Sequence, residues 1–207
     1  MVTKLGTIKK TELKDLVNVR SNGLIAIKLK GGDRLEWVKP SSGKDDVMLV
    51  TKNGMSIRFN EKHVRAMGRV AAGVRGIKMK GDDTIVGMAV VSSPLITKGR
   101  AELLVIMQNG YGKRTSVKEY KDQNRGGSGV KTANITTKTG PIVGMRVINN
   151  EDLGDILIMS EQGQVIRTKM KTVSVLGRAT QGVRIMRFKK DGDSVASIAL
   201  LSENIES

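Results

Sequence analysis

The chain has 207 residues, no cysteine and one histidine, and its 36 Lys and Arg against 20 Asp and Glu give a formal net charge of +16. The lack of cysteine excludes a disulfide framework and cysteine-ligated zinc, and a single histidine excludes a multi-histidine metal site. Aromatic residues make up only 2%, too few for the stacking platforms that bind single strands. This composition favours duplex nucleic acid bound through its phosphates; the alternative is a basic protein whose charge serves only solubility.

Short turns with glycine at the fourth position recur along the chain, each followed by basic residues. Three of them lie between β-rich runs, and Asn-Gly between such runs predicts a type I′ hairpin. The glycines are separated by 48, 56 and 53 residues, which indicates a repeat. The turns are TKLGTIKKT (3–11), TKNGMSIRF (51–59), MQNGYGKRT (107–115) and SEQGQVIRT (160–168), with Gly6, Gly54, Gly110 and Gly163 at the fourth position.

A basic, glycine-rich loop follows each hairpin and opens into an alternating strand. The last glycines of these loops are 50, 56 and 53 residues apart, so both features belong to one repeating unit. The segments are VRSNGLIAIKL (19–29), MGRVAAGVRGIKM (67–79), QNRGGSGVKTANI (123–135) and LGRATQGVRIMRF (176–188), with last glycines Gly23, Gly73, Gly129 and Gly182.

A further turn and a fourth strand complete each unit, and no stretch longer than two helical turns has helical periodicity. Four-stranded units at this period predict an all-β, propeller-like fold, because the apolar faces of one unit are covered only by its neighbours. We expect one domain with units at about 1–45, 46–98, 99–152 and 153–207. The strand before Gly6 is expected to be missing, so that the chain begins inside a unit.

The segments MQNGYGKRT, MGRVAAGVRGIKM, QNRGGSGVK and LGRATQGVRIMRF resemble the repeats of the C-terminal domain found in the A subunit of bacterial DNA gyrase, in the same order and over nearly the whole chain. The corresponding domain of topoisomerase IV is a close relative. The resemblance implies a β-pinwheel, a propeller variant whose neighbouring blades exchange strands, with about four of six blades present. It also implies that duplex DNA wraps around a basic rim, which directs negative supercoiling.

The same resemblance places the chemistry elsewhere. The catalytic tyrosine would lie in the N-terminal breakage-reunion domain, which belongs to the A subunit of the enzyme. The ATPase would lie in the gyrase B subunit, so this chain alone would not be an enzyme. The holoenzyme would use ATP and Mg²⁺, and this domain would bind no cofactor. We expect three partners: the breakage-reunion domain, the gyrase B subunit and double-stranded DNA. We expect no membrane association and a cytoplasmic, nucleoid-associated location.

One string is similar to the family's defining heptad, in which glutamine, arginine and glycines alternate with basic residues. In QNRGGSG (123–129), Asn124 and Ser128 stand where the family has basic residues. By its order in the chain, the string resembles the degenerate copy of a later blade. The matching residues are Gln123, Arg125, Gly126, Gly127 and Gly129.

The candidate DNA-binding residues are basic side chains at aligned positions in the loops, the strands after them and the hairpins. Glycine lets the backbone approach a phosphate, and a guanidinium adds a charged hydrogen bond. The alternative is that these arginines connect adjacent blades through carbonyls or carboxylates. The candidates are Arg69, Arg125 and Arg178 in the loops, Arg75, Lys131 and Arg184 after them, Arg20 in the first unit, and Lys113 and Arg114 after a hairpin turn, with counterparts Lys9, Lys10, Arg58 and Arg167.

No set of side chains suggests catalysis or metal binding. The isolated His63 is expected in an exposed loop, and acidic pairs such as Asp82-Asp83 are expected to shape turns. Two alternatives to a gyrase-type DNA-wrapping module remain: a topoisomerase IV-type DNA-binding domain, and a propeller-like module that binds an acidic protein partner. The DNA hypotheses predict a mobility shift at physiological salt, and the interaction module does not.

Overall fold

The computed structural model describes residues 1–19 and 21–201, which form four antiparallel β-sheets in succession. Helical structure in this part of the chain is limited to α1 (Ser93–Thr97) and 3₁₀ turns at Leu13–Leu16, Glu61–His63, Val117–Glu119 and Met170–Thr172. None of the described helices is long and apolar enough to cross a membrane. The strands are β1 (Val2–Thr3), β2 (Thr7–Ile8), β3 (Leu35–Trp37), β4 (Asp46–Thr51), β5 (Met55–Asn60), β6 (Val74–Arg75), β7 (Ile85–Val91), β8 (Ala101–Met107), β9 (Tyr111–Ser116), β10 (Val130–Lys131), β11 (Ile142–Asn149), β12 (Asp155–Ser160), β13 (Val165–Lys169), β14 (Val183–Arg184) and β15 (Val195–Leu201).

Each of the first three sheets includes a short strand donated by the next unit. The orders are β3-β1-β2-β6, β10-β5-β4-β7 and β11-β8-β9-β14, which place the donated strands β6, β10 and β14 at one edge. Each donated strand follows a glycine-rich loop and pairs with the second hairpin strand of the preceding sheet. The all-β, propeller-like prediction is confirmed, and the described part of the last sheet has the order β13-β12-β15.

Three apolar cores lie between successive sheets. Met48 on β4 belongs to a core with Leu103 of the following sheet, whereas its neighbour Leu49 belongs to a core with Val2 of the preceding sheet. The third core joins the last two sheets and includes Leu104. Because successive side chains of a strand point to opposite faces, each inner sheet buries both of its faces, as the repeat predicts.

The hairpins are closed by three-residue loops, so the predicted type I′ turns are wrong. The N–H of Gly54 donates to the carbonyl of Thr51 at 3.2 Å, which makes Gly54 the fourth residue of the turn. A type I turn followed by a left-handed residue builds this loop, and Gly54 has a φ of +85°. The Asn-Gly doublet misled the prediction because it occupies the third and fourth positions and not the two central ones.

The strand expected to be missing before Gly6 is present. β1 pairs with β2 on one side and with β3 on the other. Two residues are too few to show alternation, so the sequence pattern did not reveal this strand.

Replacing Gly129 by alanine is expected to destabilise the fold by about 2–4 kcal/mol. The φ of Gly129 is +71°, and a Cβ there would lie 2.2 Å from the carbonyl oxygen of Ser56, so backbone strain and a clash combine. Urea unfolding measures the loss. The matched control is Gly163→Ala, where φ is +81° but a Cβ meets no atom within 4 Å; equal losses for the two variants would contradict the prediction.

Candidate nucleic-acid interface

Strand exchange holds the basic loops at the edges of the sheets. We name residues 68–73, 124–129 and 177–182 the Gly-Arg loops; each has arginine at its second position and glycine at its sixth. The sixth glycine has a positive φ in every loop. A Cβ there would lie 2.2–2.6 Å from a backbone oxygen of the preceding sheet. Glycine therefore allows each loop to lie directly on its neighbour.

One hydrogen bond recurs between successive units and places the loops in a row. In each case the donor lies five positions after the final glycine of a glycine-rich loop (Gly23, Gly73 or Gly129). Its N–H donates to the carbonyl of the fourth residue of the Gly-Arg loop in the next unit. Because the same two positions meet each time, the loops follow one another along the same side of the protein. The bonds join Lys28 to Ala71 (3.2 Å), Lys78 to Gly127 (2.8 Å) and Asn134 to Thr180 (3.0 Å).

Two of the loop arginines connect units through carbonyls, as the alternative interpretation proposed. Arg125 donates from Nε to the carbonyl of His63 at 2.8 Å and from Nη1 to that of Arg75 at 3.3 Å. Arg178 donates from Nη1 to the carbonyl of Lys131 at 3.4 Å. Both side chains stay half-exposed. Since a guanidinium has five N–H donors, each retains donors for an anion.

The other candidate side chains in the loops and donated strands are exposed. Arg69, Arg75 and Lys131 make no side-chain hydrogen bond or ion pair with the residues that the structure describes. Arg184 donates to the hydroxyl of Tyr111 from Nε at 3.2 Å and from Nη2 at 2.8 Å. Arg20 lies outside the described residues. Cationic groups are therefore present in all three Gly-Arg loops and after each of them.

The structure corrects the prediction that Lys113 contacts phosphate. Its side chain is 0% exposed, and its ammonium donates to the carbonyls of Gly177 and Arg178, both at 2.6 Å, and to the hydroxyl of Thr180 at 2.9 Å. Burial lowers the pKa of Lys113 to about 8. Its counterpart Lys9 is 1% exposed and is also bonded to carbonyls.

The prediction for Arg114 is also wrong, because this residue forms a buried ion pair within its hairpin. Its Nη1 lies 2.8 Å from Glu102, both side chains being 8% exposed, and its Nε donates to the carbonyl of Val173. The counterparts Arg58 and Arg167 also pair with a carboxylate of their own hairpin, Asp46 and Asp155 respectively, although the side chain of Arg167 is 68% exposed. The residue at the fourth position after each of these three turn glycines therefore forms an ion pair within its hairpin.

The string QNRGGSG lies at the junction between the second and third sheets. The N–H of Gln123 donates to the carbonyl of Arg58 at 2.9 Å, and that of Gly126 to the carbonyl of Gly76 at 2.7 Å. The carbonyl of Gly127 accepts the recurring bond described above. These residues hold the loop against its neighbours, and Arg125 carries the positive charge.

Sequence reasoning missed the two tyrosines, which support loop and strand arginines. The guanidinium carbon of Arg178 lies 5.9 Å from the ring centroid of Tyr120, and that of Arg184 lies 5.2 Å from that of Tyr111. Burial raises the pKa of Tyr120 to about 12, and its hydroxyl is 2.6 Å from that of Thr132. The available signal was position: Tyr111 begins β9, which receives the strand after the third Gly-Arg loop, and Tyr120 directly follows the 3₁₀ turn at Val117–Glu119 that comes after β9.

The acidic residues near the turns shape the hairpins, as predicted for Asp83. Its carboxylate accepts the N–H groups of Asn53 and Thr84, each at 2.9 Å. Asp33 and Asp193 accept equivalent pairs of bonds. These carboxylates therefore fix the turns between the two strands of their hairpins.

Comparison with known proteins agrees with this architecture. The family model described as the DNA gyrase C-terminal domain, beta-propeller, matches residues 1–42, 45–92, 101–149 and 154–202. The A subunit of DNA gyrase from Salmonella typhimurium is 40% identical over 206 residues, which is 100% of this chain and 22% of the relative. That of Staphylococcus epidermidis is 40% identical over 201 residues, covering 97% and 22%. The chain thus spans about a fifth of the length of these relatives.

Solved structures show the same likeness. A structure of the DNA gyrase A C-terminal domain superposes with a TM-score of 0.79 at 28% identity, covering 95% of this chain and 63% of that one. A crystal structure of the C-terminal domain of DNA topoisomerase IV superposes with a TM-score of 0.86 at 28% identity, covering 97% and 60%. With four repeats matched in order and donated strands joining successive sheets, the chain belongs to the family of DNA gyrase C-terminal β-propeller domains.

Proposed function

We propose that this chain binds duplex DNA along the row of Gly-Arg loops and wraps it, as a non-catalytic C-terminal module of a type II topoisomerase. The observation that carries the proposal is the hydrogen bond that recurs between the fourth residue of each loop and the preceding unit. It supports one continuous path across successive units. Cations along such a path bind phosphates without reading bases.

The distribution of charge supports a path that involves every unit. Lys and Arg number 12 in residues 1–60, 13 in 61–130 and 11 in 131–207. The basic residues are spread along the sequence and not confined to one unit, so a bound duplex is expected to gain phosphate contacts as it extends from unit to unit. We expect binding to depend on the deformability of the DNA more than on its sequence.

Within a holoenzyme, the wrap would present a DNA segment to the cleavage core and direct negative supercoiling. DNA breakage is assigned to the N-terminal breakage-reunion domain, and ATP hydrolysis, with Mg²⁺, to the gyrase B subunit. This chain matches only 22% of the length of the DNA gyrase relative from Salmonella typhimurium. The proposal for this chain is therefore DNA binding and wrapping alone.

Affinity for linear duplexes is expected to rise with length until the DNA contacts all the Gly-Arg loops, because each added phosphate contact releases further counterions. Plasmid treated with a nicking-closing enzyme in the presence of the protein is expected to show altered writhe. Fluorescence anisotropy and agarose gels measure the two effects. Binding that is independent of length and leaves writhe unchanged would rule out wrapping.

The matched variants are Arg69→Glu and Arg34→Glu. Both arginines are exposed, but Arg69 lies in a Gly-Arg loop, whereas Arg34 precedes β3, at the sheet edge opposite the donated strand. Reversal at Arg69 is expected to weaken binding about tenfold more than reversal at Arg34, since it replaces a phosphate contact by repulsion. Arg69 makes no side-chain bond within the described residues, so this loss does not reflect unfolding.

A topoisomerase IV-type DNA-binding domain is the second candidate. The higher of the two TM-scores, 0.86, belongs to a topoisomerase IV domain. The 40% identity to a DNA gyrase relative over essentially the whole chain favours the gyrase assignment. Binding without a change of writhe would support DNA contact and contradict the wrap.

A further inference from the structure

Two lysines lie buried beneath Gly-Arg loops, where the proposed DNA contact does not use them directly. Lys9 and Lys113 occupy the third position after a hairpin glycine. Lys113 lies on β9 and Lys9 directly follows β2, and both of these strands receive a donated strand. At the same position the second and fourth units have Ile57 and Ile166. An ammonium at a position suited to isoleucine is costly to bury, so its partners must compensate.

Each of these ammonium groups bonds to the Gly-Arg loop of the following unit. All three donors of Lys113 are directed at residues 177–180, including the carbonyl of Arg178 at 2.6 Å. Lys9 bonds to the carbonyl of Arg69 and, at 2.6 Å, to that of Ala26. In both cases one of the two bonded carbonyls belongs to the loop arginine itself.

This bond fixes the direction of the next backbone N–H. All described peptide bonds are trans, so the carbonyl of Arg178 and the N–H of Ala179 point in opposite directions. Because the carbonyl points inward to Lys113, the N–H of Ala179 points outward, and by the same geometry so does that of Val70. Within residues 1–19 and 21–201 neither N–H has an acceptor, and both residues are exposed.

We propose that Lys9 and Lys113 are positioning residues that turn the N–H groups of Val70 and Ala179 toward the phosphates of the bound duplex. This inference rests on the proposed DNA binding. Each outward N–H lies next to a loop arginine, so a phosphate oxygen receives a backbone hydrogen bond beside a guanidinium, a frequent combination in DNA backbone contacts.

The middle loop provides an internal contrast. Ile57 replaces the lysine there, and the N–H after Arg125 belongs to Gly126, which donates it to the carbonyl of Gly76 at 2.7 Å. No backbone donor is left at that position for a ligand, and Arg125 is held instead by its own side chain. Lysine beneath the loop and a free N–H after the arginine therefore occur together at two junctions and are both absent at the third.

Lys113→Met is expected to weaken duplex binding about fivefold, because the loop loses its three anchoring bonds and the N–H its fixed direction. The slope of log affinity against log salt is expected to stay unchanged, since no cation leaves the interface. If Lys113 contacted phosphate directly, its removal would reduce the magnitude of this slope by about 0.9. Ile57→Met is the matched control and is expected to bind like the unmodified chain.

The pH profile separates positioning from a general structural role. Burial lowers the pKa of Lys113 to about 8, Glu119 of the neighbouring 3₁₀ turn acts to raise it, and Arg178 of the loop acts to lower it. The ammonium is thus present below this pH and lost above it. Affinity is expected to fall as pH rises from about 7 to 9, and this fall is expected to be smaller in Lys113→Met, which retains Lys9.

The outcomes are distinguishable. If the unmodified chain does not bind duplex DNA, the proposed function fails; if it binds and Lys113→Met binds equally, with the same pH profile, only the inference fails. Thermal unfolding checks that the variant is folded at the assay temperature. Should it be unfolded, Ala179→Pro decides, because proline removes the one N–H and keeps Lys113; undiminished binding by that variant would overturn the proposal.

Discussion

Binding of duplex DNA is expected to weaken by roughly 10³–10⁵-fold between about 50 and 200 mM salt, if about 6–10 phosphates are neutralised. The physical reason is the release of condensed counterions by lysines and arginines that are already exposed. The cations available for these contacts are Arg69, Arg75, Arg125, Lys131, Arg178 and Arg184, together with the exposed Lys28 and Lys78 beside the recurring bonds. A titration at several salt concentrations gives the slope.

Single substitutions test which cations contribute to that slope. Arg75→Gln removes an exposed cation without side-chain partners in the described residues. It is expected to reduce the magnitude of the slope of log affinity against log salt by about 0.9. Arg167→Gln removes an arginine that is also exposed but pairs with Asp155 in its hairpin, and it is expected to leave the slope unchanged. Affinity that does not depend on salt would contradict binding through phosphates.

Arg114→Met is expected to reduce the free energy of unfolding by about 3–5 kcal/mol, because it leaves Glu102 as an unpaired buried charge. The two charged groups are 2.8 Å apart and both side chains are 8% exposed. Urea denaturation measures the loss. Where the variant is folded, the salt dependence of DNA binding is expected to remain that of the unmodified chain, since Arg114 does not reach the surface.

Arg167→Met is the matched control for this prediction. Arg167 stands at the same position of its hairpin, but its side chain is 68% exposed, and an exposed pair contributes only about 0–1 kcal/mol. The double change Glu102→Leu with Arg114→Met removes both charges and is expected to recover most of the loss. A loss of less than about 1 kcal/mol in Arg114→Met would contradict a buried structural pair.

The sequence predicted the architecture because the repeat appears twice, in the hairpin glycines and in the loop glycines. Their positive φ values, such as +81° at Gly6 and +87° at Gly73, are requirements that few other residues meet. The turn type was predicted wrongly, since the Asn-Gly doublet can occupy either the two central positions of a turn or its third and fourth positions. Only the position of the hydrogen bond between Gly54 and Thr51 distinguishes them.

The structure is compatible with part of the candidate site. The arginines of the three Gly-Arg loops are exposed or half-exposed, because glycine-rich connections stay at the surface, and their contact with DNA stays a prediction. Lys113 and Arg114 were misassigned because a basic residue in a short strand gives no indication of burial. The aligned isoleucines at positions 57 and 166 were the signal that this position faces the interior.

The sequence by itself determined the period, the hairpins around Gly54, Gly110 and Gly163, the glycines that permit close approach and the positions of the loop arginines, since all of these depend on local backbone preference and alternation. Tertiary structure alone decided which basic residues face water. Lys113 and Lys131 are similar in sequence context, yet residues 177–180, more than 60 positions after Lys113, fold over Lys113 and leave Lys131 exposed. Burial of a charge depends on this distant segment and its carbonyls, and no local pattern encodes such a contact.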